Sequence, residues 1–214
     1  MTKVKALYVL QCREFIVERH GDAGIEVIKS HVSPAASAVL YSPLLVATDW
    51  VEVSHALEQA LGYDRAFGTS VKGQAAQRMI IDLVAKHYNS MYRSVFAQAD
   101  SPVAVLDKAS RLWRRFYDAG ESQLTSQTLT SVVKRVTGCD DFPIGHELLM
   151  LPYYEELLRQ WGARDPTARH TKCVARGAEC CETTITWRQT SSASNRGIPS
   201  RAPSRPLSRP PERS

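Results

Sequence analysis

The chain has 214 residues, 43% hydrophobic and 23% charged, ordinary proportions for a soluble globular protein long enough to bury a core. Its formal net charge is +5, but six of the 27 basic residues and only one of the 22 acidic ones lie from Arg188 to the end. Everything before Arg188 is therefore neutral overall, which excludes a uniformly basic nucleic-acid-binding domain.

The start, "MTKVKALYVLQC", places two lysines and an apolar patch before Cys12. The patch is too short for a signal-peptide core, and Gln11 stands where a small residue is needed. No apolar run approaches the ~18 residues of a membrane span. Five cysteines, an odd number, without an export signal point to reduced thiols in a cytoplasmic protein.

"VKALYVL" reads as a strand or the first turn of a helix, followed by two short amphipathic stretches, "REFIVERH" and "GIEVIKSHV", broken at Gly21. Residues 34–50 carry two prolines and read as helical turns joined by loops, and "VSHALEQALG" as a helix closed by Gly62. From about Gln74 to Phe96, apolar pairs recur every four positions, which predicts one long helix with a wide buried stripe. A second helix begins with Ser101 as N-cap and Pro102 at the first helical position. Its apolar face is Val105, Leu106, Ala109, Leu112, Trp113 and Phe116, and Gly120 ends it.

"TLTSVVKRVTG" is rich in β-branched residues and reads as a strand, and "LPYYEELLRQWG" as a helix between Pro152 and Gly162. "ARHTKCVA", a turn at Arg176–Gly177 and "CCETTITW" then form a β-hairpin. The order predicts an α+β fold: a helical N-terminal half packed on a C-terminal antiparallel sheet that ends in a β-hairpin. Residues 1–187 form one domain. Residues 188–214 form an Arg/Ser/Pro-rich basic tail, whose prolines forbid a helix and predict a disordered or polyproline-like segment.

Three of the five cysteines fall within the hairpin. Regular alternation puts Cys181, Thr183, Ile185 and Trp187 on the buried face and turns Cys180 towards water. Cys173 meets Cys180 or Cys181 according to the length of the loop, and the register is left open. The plain reading of Cys173 and Cys181 is small apolar packing in a sheet. Zinc needs three or four ligands, and His170 lies on the opposite face from Cys173 unless a bulge recruits it. No stable metal site is therefore expected, with Cys173, Cys181 and His170 as the metal candidates.

His87, on the apolar face of the long helix, and His146, in "PIGHELL", read as hydrogen-bonded core histidines. In "RLWRRFYD" the aromatic residues belong inside at helical spacing, and the arginines form a solvated face. There is no Gly-rich phosphate loop, HExxH or GxSxG motif.

The order of "VKALYVLQCREFIVERHGDAG", "SPLLVATDW", "YRSVFAQADSPVAVLDKASRLWRRFYDAGES", "YYEELLRQWGAR" and "CVARGAECCETTITW" resembles that of an uncharacterised paralogous family abundant in myxobacteria. The closing motif, with Cys173, Gly177 and Cys181, is also similar to that of the vinyl-reductase-type small-molecule-binding domain. That domain is related to haem–nitric-oxide-binding and vesicle-tethering proteins. In its aromatic-compound sensors, the two cysteines hold zinc with an upstream cysteine and a carboxylate. His170 takes the carboxylate position here, and only Cys139 and His146 lie near the upstream one. Haem is not expected, because Tyr92 in "YNSMYR" stands where the haem-binding pattern needs arginine.

The resemblance implies a non-enzymatic sensory or regulatory module that binds a small apolar ligand or a partner protein, a homodimer included. Trp113, Phe116 and Tyr153 are the expected ligand-binding residues, and no cofactor is predicted. The alternatives are a cysteine-dependent enzyme on a small substrate and a nucleic-acid or anionic-membrane-surface binder acting weakly through the tail.

Overall fold

The computed structural model describes residues 1–88, 93–139 and 145–188. The expected tail lies outside them except for Arg188, which closes a strand.

The chain opens on β1 (Lys3–Lys5), which passes directly into α1 (Ala6–Lys29), so both readings of "VKALYVL" hold in succession. Gly21 takes φ 67° and ψ −173°, a break that splits α1 into the two expected stretches. α2 (Pro34–Leu40) is capped by Ser33, whose side chain accepts from the Ala36 N–H. β2 (Trp50–Glu52) pairs antiparallel with β1, Val4 facing Val51. α3 (Val53–Phe67) continues past Gly62 instead of ending there. A Cβ at Gly62 would lie 3.0 Å from Val32 and 3.2 Å from Ile28, so this glycine lets two helices approach.

α4 (Gln74–His87) and α5 (Arg93–Phe96) occupy the two ends of the expected long helix; what joins them falls on residues 89–92, outside the described set. α6 (Pro102–Arg111) starts as expected, with the Ser101 hydroxyl accepting from the Ala104 N–H at 3.2 Å. α7 (Trp113–Phe116) follows, and Asp118 beyond it accepts the Lys3 N–H at 2.6 Å, which ties the helical segment to β1.

β3 (Glu121–Gln127), β4 (Ser131–Thr137), β5 (Arg164–Lys172) and β6 (Cys181–Arg188) form one antiparallel sheet in the order β3-β4-β6-β5. β3, "ESQLTSQ", is too polar to be seen as a strand in the sequence; it is an edge strand with a largely exposed surface. A π-helical turn (His146–Met150) leads into α8 (Leu151–Trp161), which packs on β5, α4 and α6. Gly162 ends α8 at φ 111°, and the N–H groups of Gly162 and Ala163 both bond the Leu158 carbonyl. The fold is thus α+β as expected, its helices gathered on one face of the sheet. No helix among the described residues is long and apolar enough to cross a membrane.

Candidate ligand cavity and metal centre

Alternation along β4 turns Val132, Lys134 and Val136 to the helical side of the sheet. Above them α4, α6, α7 and α8 leave a cavity of about 140 Å³. That volume matches a cavity able to hold one benzene ring. Leu83, Val84 and His87 of α4 and Ala109 of α6 form part of its wall, and Tyr8 and Gln11 reach it from α1. Trp113, Phe116 and Tyr153 also line it.

The aromatic wall is built by packing between elements. Trp113 is 4% exposed, stacks on Tyr117 with ring centroids 4.1 Å apart, and donates its indole N–H to the Ala119 carbonyl at 3.1 Å. Tyr117 lies beside β1, bridging Val4, and its hydroxyl reaches the Met150 sulfur at 3.8 Å. Tyr153 and Tyr154 meet edge to face at 5.5 Å. Burial pushes the Tyr8 and Tyr154 phenols well above their usual range and keeps them protonated.

Three polar groups break the apolar lining. Lys134 is 2% exposed, and burial pushes its amine down to about 7, against a smaller opposing pull from Asp107. The Gln11 side-chain nitrogen is buried without a hydrogen-bond partner among the described residues. His87 is held below the usual histidine range, first by burial and then by Lys86.

A second cluster lies at the hairpin end of the sheet. The ligating atoms of His146, His170 and Cys181 all lie within 4.8 Å of one another. Donors around a tetrahedral zinc with bonds of about 2.0–2.3 Å sit roughly 3.3–3.8 Å apart, so a small inward movement closes such a site. His170 gets there through the irregularity that the sequence argument required. β5 and β6 shift register between His170 and Lys172, so His170 faces inward while Cys173 is also buried. Cys173 lies close enough to Cys181 to help raise its thiol, which resolves the open register in favour of Cys181. His146 comes from the π-helical turn, far away in sequence, and its ring meets that of His170 edge to face at 5.4 Å.

His170 Nδ1 lies 3.3 Å from Glu147 Oε1, and Arg176 holds the same carboxylate oxygen at 3.0 Å. His170 Nε2 is buried without a hydrogen-bond partner among the described residues. An imidazole held by a carboxylate at Nδ1 with a bare inward Nε2 is the arrangement of a metal ligand. Burial, and then His170, push His146 down to about 4, which keeps this second imidazole neutral. Cys139 is buried but is not part of the cluster.

One expectation about this hairpin is corrected. Cys180 is buried, at 8% exposure, not turned to water. It precedes the first residue of β6, so the alternation that assigned its face does not extend to it.

No family model matches the chain, and no curated protein does. Solved structures do match. An H-NOX protein variant from K. algicida with unliganded Fe(II) matches with a TM-score of 0.62 at 7% identity, over 86% of this chain and 97% of that one. An H-NOX protein from S. oneidensis in the Fe(II)NO state gives 0.59 at 11% identity, over 86% and 99%. A structure from work on heme distortion in the H-NOX family gives 0.57 at 6% identity, over 89% and 98%. The fold is therefore that of the H-NOX domains.

This likeness overturns the expectation that haem is absent, since solved proteins of this fold hold iron and one concerns a distorted heme. That expectation rested on residues 88–93, of which 89–92 lie outside the described set. The cavity offers one donor that would suit a haem iron, the His87 imidazole, held below the usual histidine range on an apolar, aromatic wall. At about 140 Å³ the cavity holds one ring, so a tetrapyrrole requires its helical walls to part.

Proposed function

We propose that this chain is a sensory module that binds a small, ring-sized apolar ligand between its N-terminal helices and its C-terminal sheet. The observation that carries this reading is the aromatic cavity bounded by α4, α6, α7, α8 and β4, with Trp113, Phe116 and Tyr153 as ligand contacts. Ligand occupancy there bears on both halves of the fold at once, which suits a signal passed to a partner protein or a second copy of the chain. The vinyl-reductase-like closing motif is consistent with this role.

The reading is preferred to a cysteine enzyme on physical grounds. Burial raises the Cys181 thiol, the opposite of what a nucleophile needs, and its side chain is out of reach of solvent. Binding of nucleic acid or anionic surfaces through the tail concerns residues outside the described set.

Calorimetric titration with benzyl alcohol tests the cavity. Saturable binding that is lost in Ala109→Leu, with an unchanged far-UV spectrum, supports the reading. Equal affinity in the variant, or no binding by the natural chain, defeats it.

A second reading, haem in the same cavity, is favoured by His87 on the wall. Haem would supply an iron to which a diatomic gas binds, as in the Fe(II)NO form from S. oneidensis. His87 would hold that iron while the surrounding aromatic residues exclude water. Hemin titration of the natural chain and of His87→Ala decides it. A sharp Soret band that depends on His87 supports haem, and a band that is absent or indifferent to the substitution removes it.

We also propose that His146, His170 and Cys181, with Cys173 beside them, bind zinc as a structural clamp between the π-helical turn and the hairpin. Elemental analysis of the purified chain is the direct test.

A further inference from the structure

β4 runs through the centre of the sheet, between β3 and β6, and its inward positions are Val132, Lys134 and Val136. A lysine between two valines on the core side breaks the alternation of its strand. Such local violations are expected where a site has been built. Lys134 Nζ donates to Ser110 Oγ at 2.6 Å and to Ser122 Oγ, and it lies 5.3 Å from the centre of the Tyr154 ring. Ser110 sends its own proton to the Leu106 carbonyl at 3.0 Å, so its oxygen is free to accept from the amine. The amine is therefore oriented by two hydroxyls and an aromatic face.

What this arrangement lacks is a negative charge. Lys134 takes part in none of the ion pairs among the described residues. The nearby acid, Asp107 of α6, is held by Arg111 at 2.7 Å. A buried lysine without a carboxylate is costly to keep charged, and a protein that needed only core volume here would place an aliphatic residue. The same cavity is lined by Gln11, whose side-chain nitrogen has no hydrogen-bond partner among the described residues and is a second group able to bond an anion.

We propose that the ligand of this cavity is a ring-sized organic carboxylate whose carboxylate pairs with Lys134, while its apolar body lies against Trp113 and Phe116. This rests on the cavity reading above and names the chemical class of its ligand. The bound anion supplies the charge that Ser110 and Ser122 cannot, and a charge-assisted hydrogen bond in a dry cavity is a strong specificity determinant. Of the titratable groups around the amine, Asp107 is engaged by Arg111 and burial keeps the Tyr154 phenol protonated; Tyr8, likewise kept protonated, His87, held below its usual range, Tyr117 and Tyr153 complete the cavity lining. Neither Asp107 nor Tyr154 therefore competes with the ligand's carboxylate for the Lys134 ammonium.

The test compares benzoate with benzyl alcohol on the full chain by titration calorimetry, in the natural protein, Lys134→Met and Ser110→Ala. The expected result is benzoate binding more than about tenfold tighter than benzyl alcohol, in line with a charged hydrogen bond. Methionine keeps the length of the side chain and an apolar strand pattern, and its fold is checked by far-UV spectrum and thermal midpoint. In Lys134→Met the benzoate preference should vanish while benzyl alcohol binding persists. Ser110→Ala should keep the preference at reduced affinity. Near pH 8, benzoate binding should take up protons, seen as a heat that changes with the ionisation enthalpy of the buffer, because the anion favours the charged amine. Benzyl alcohol binding without any preference for benzoate, or a preference that survives Lys134→Met, overturns this proposal and leaves the cavity reading standing. Binding of neither compound overturns both.

Discussion

His170 Nδ1 lies 3.3 Å from Glu147 Oε1, and this contact decides which nitrogen His170 turns towards His146 and Cys181. A proton on Nδ1, shared with the carboxylate, leaves Nε2 as a lone pair pointing into a buried cluster. Arg176, from the hairpin turn, braces the same carboxylate, so one glutamate joins the hairpin turn to the π-helical turn.

The zinc prediction follows from that geometry. The purified chain should carry about one zinc per molecule by elemental analysis. Cys181→Ala and His170→Ala should each release most of it, whereas Glu147→Gln should retain it with affinity lowered roughly 10–100-fold, as for an outer-shell partner. Zinc that is absent after metal-sparing purification and not taken up from micromolar solution would show that the three donors are packing alone.

Thiol accessibility provides an independent check on the hairpin. All five cysteines are free and buried. Native labelling with a thiol reagent should therefore be slow at every one of them, Cys180 included, and become complete on unfolding. One equivalent of rapid labelling at Cys180 would restore the face assignment that alternation along the strand suggested.

What was legible in the sequence was whatever short-range chemistry decides. Ser101 and Pro102 start α6, Gly162 ends α8 and Gly21 breaks α1, because a cap, a missing N–H or a positive φ acts over a few residues. β3 was missed since an edge strand with a polar surface has no alternation to read. The placement of Trp113, Phe116 and Tyr153 around one cavity could be expected from helix faces meeting a sheet. His146 and Cys139 were both within reach of the upstream ligand position in the sequence, but the choice of His146 and the bulge that recruits His170 depend on a π-helical turn and a register shift, neither of which leaves a sequence signal. Lys134 was hidden inside a strand recognised only by its β-branched neighbours.

Gly120 tests the junction between the helical half and the sheet. It takes φ +75°, and an added Cβ would lie 2.7 Å from the Thr137 carbonyl oxygen and 3.0 Å from Cys139 Cβ. The obstruction is partly backbone and cannot swing away. Gly120→Ala should destabilise the chain by on the order of 1–3 kcal/mol, combining the strained φ with the clash. Denaturant unfolding measures it, and a change below about 0.5 kcal/mol would mean that the β3–β4 end relaxes freely.

The last prediction concerns stability against pH. The Lys134 amine sits at about 7 in the folded chain, pushed down by burial, against 10.5 for the unperturbed side chain. Below about 7 both states hold the proton and the full cost of burying the charge is present. Between about 7 and 10.5 the unfolded chain binds more protons than the folded one, so stability rises with pH. Above that window both amines are neutral and the cost is gone. The expected slope within the window is about 1.4 kcal/mol per pH unit from this one group. Cysteines and tyrosines titrate in the same range, so the quantity to measure is the difference between the natural chain and Lys134→Met. Methionine should stabilise the fold most below pH 7, and its advantage should shrink steadily towards pH 10. An advantage that stays constant across that range would show that Lys134 is solvated in the folded state, with water reaching it through the cavity.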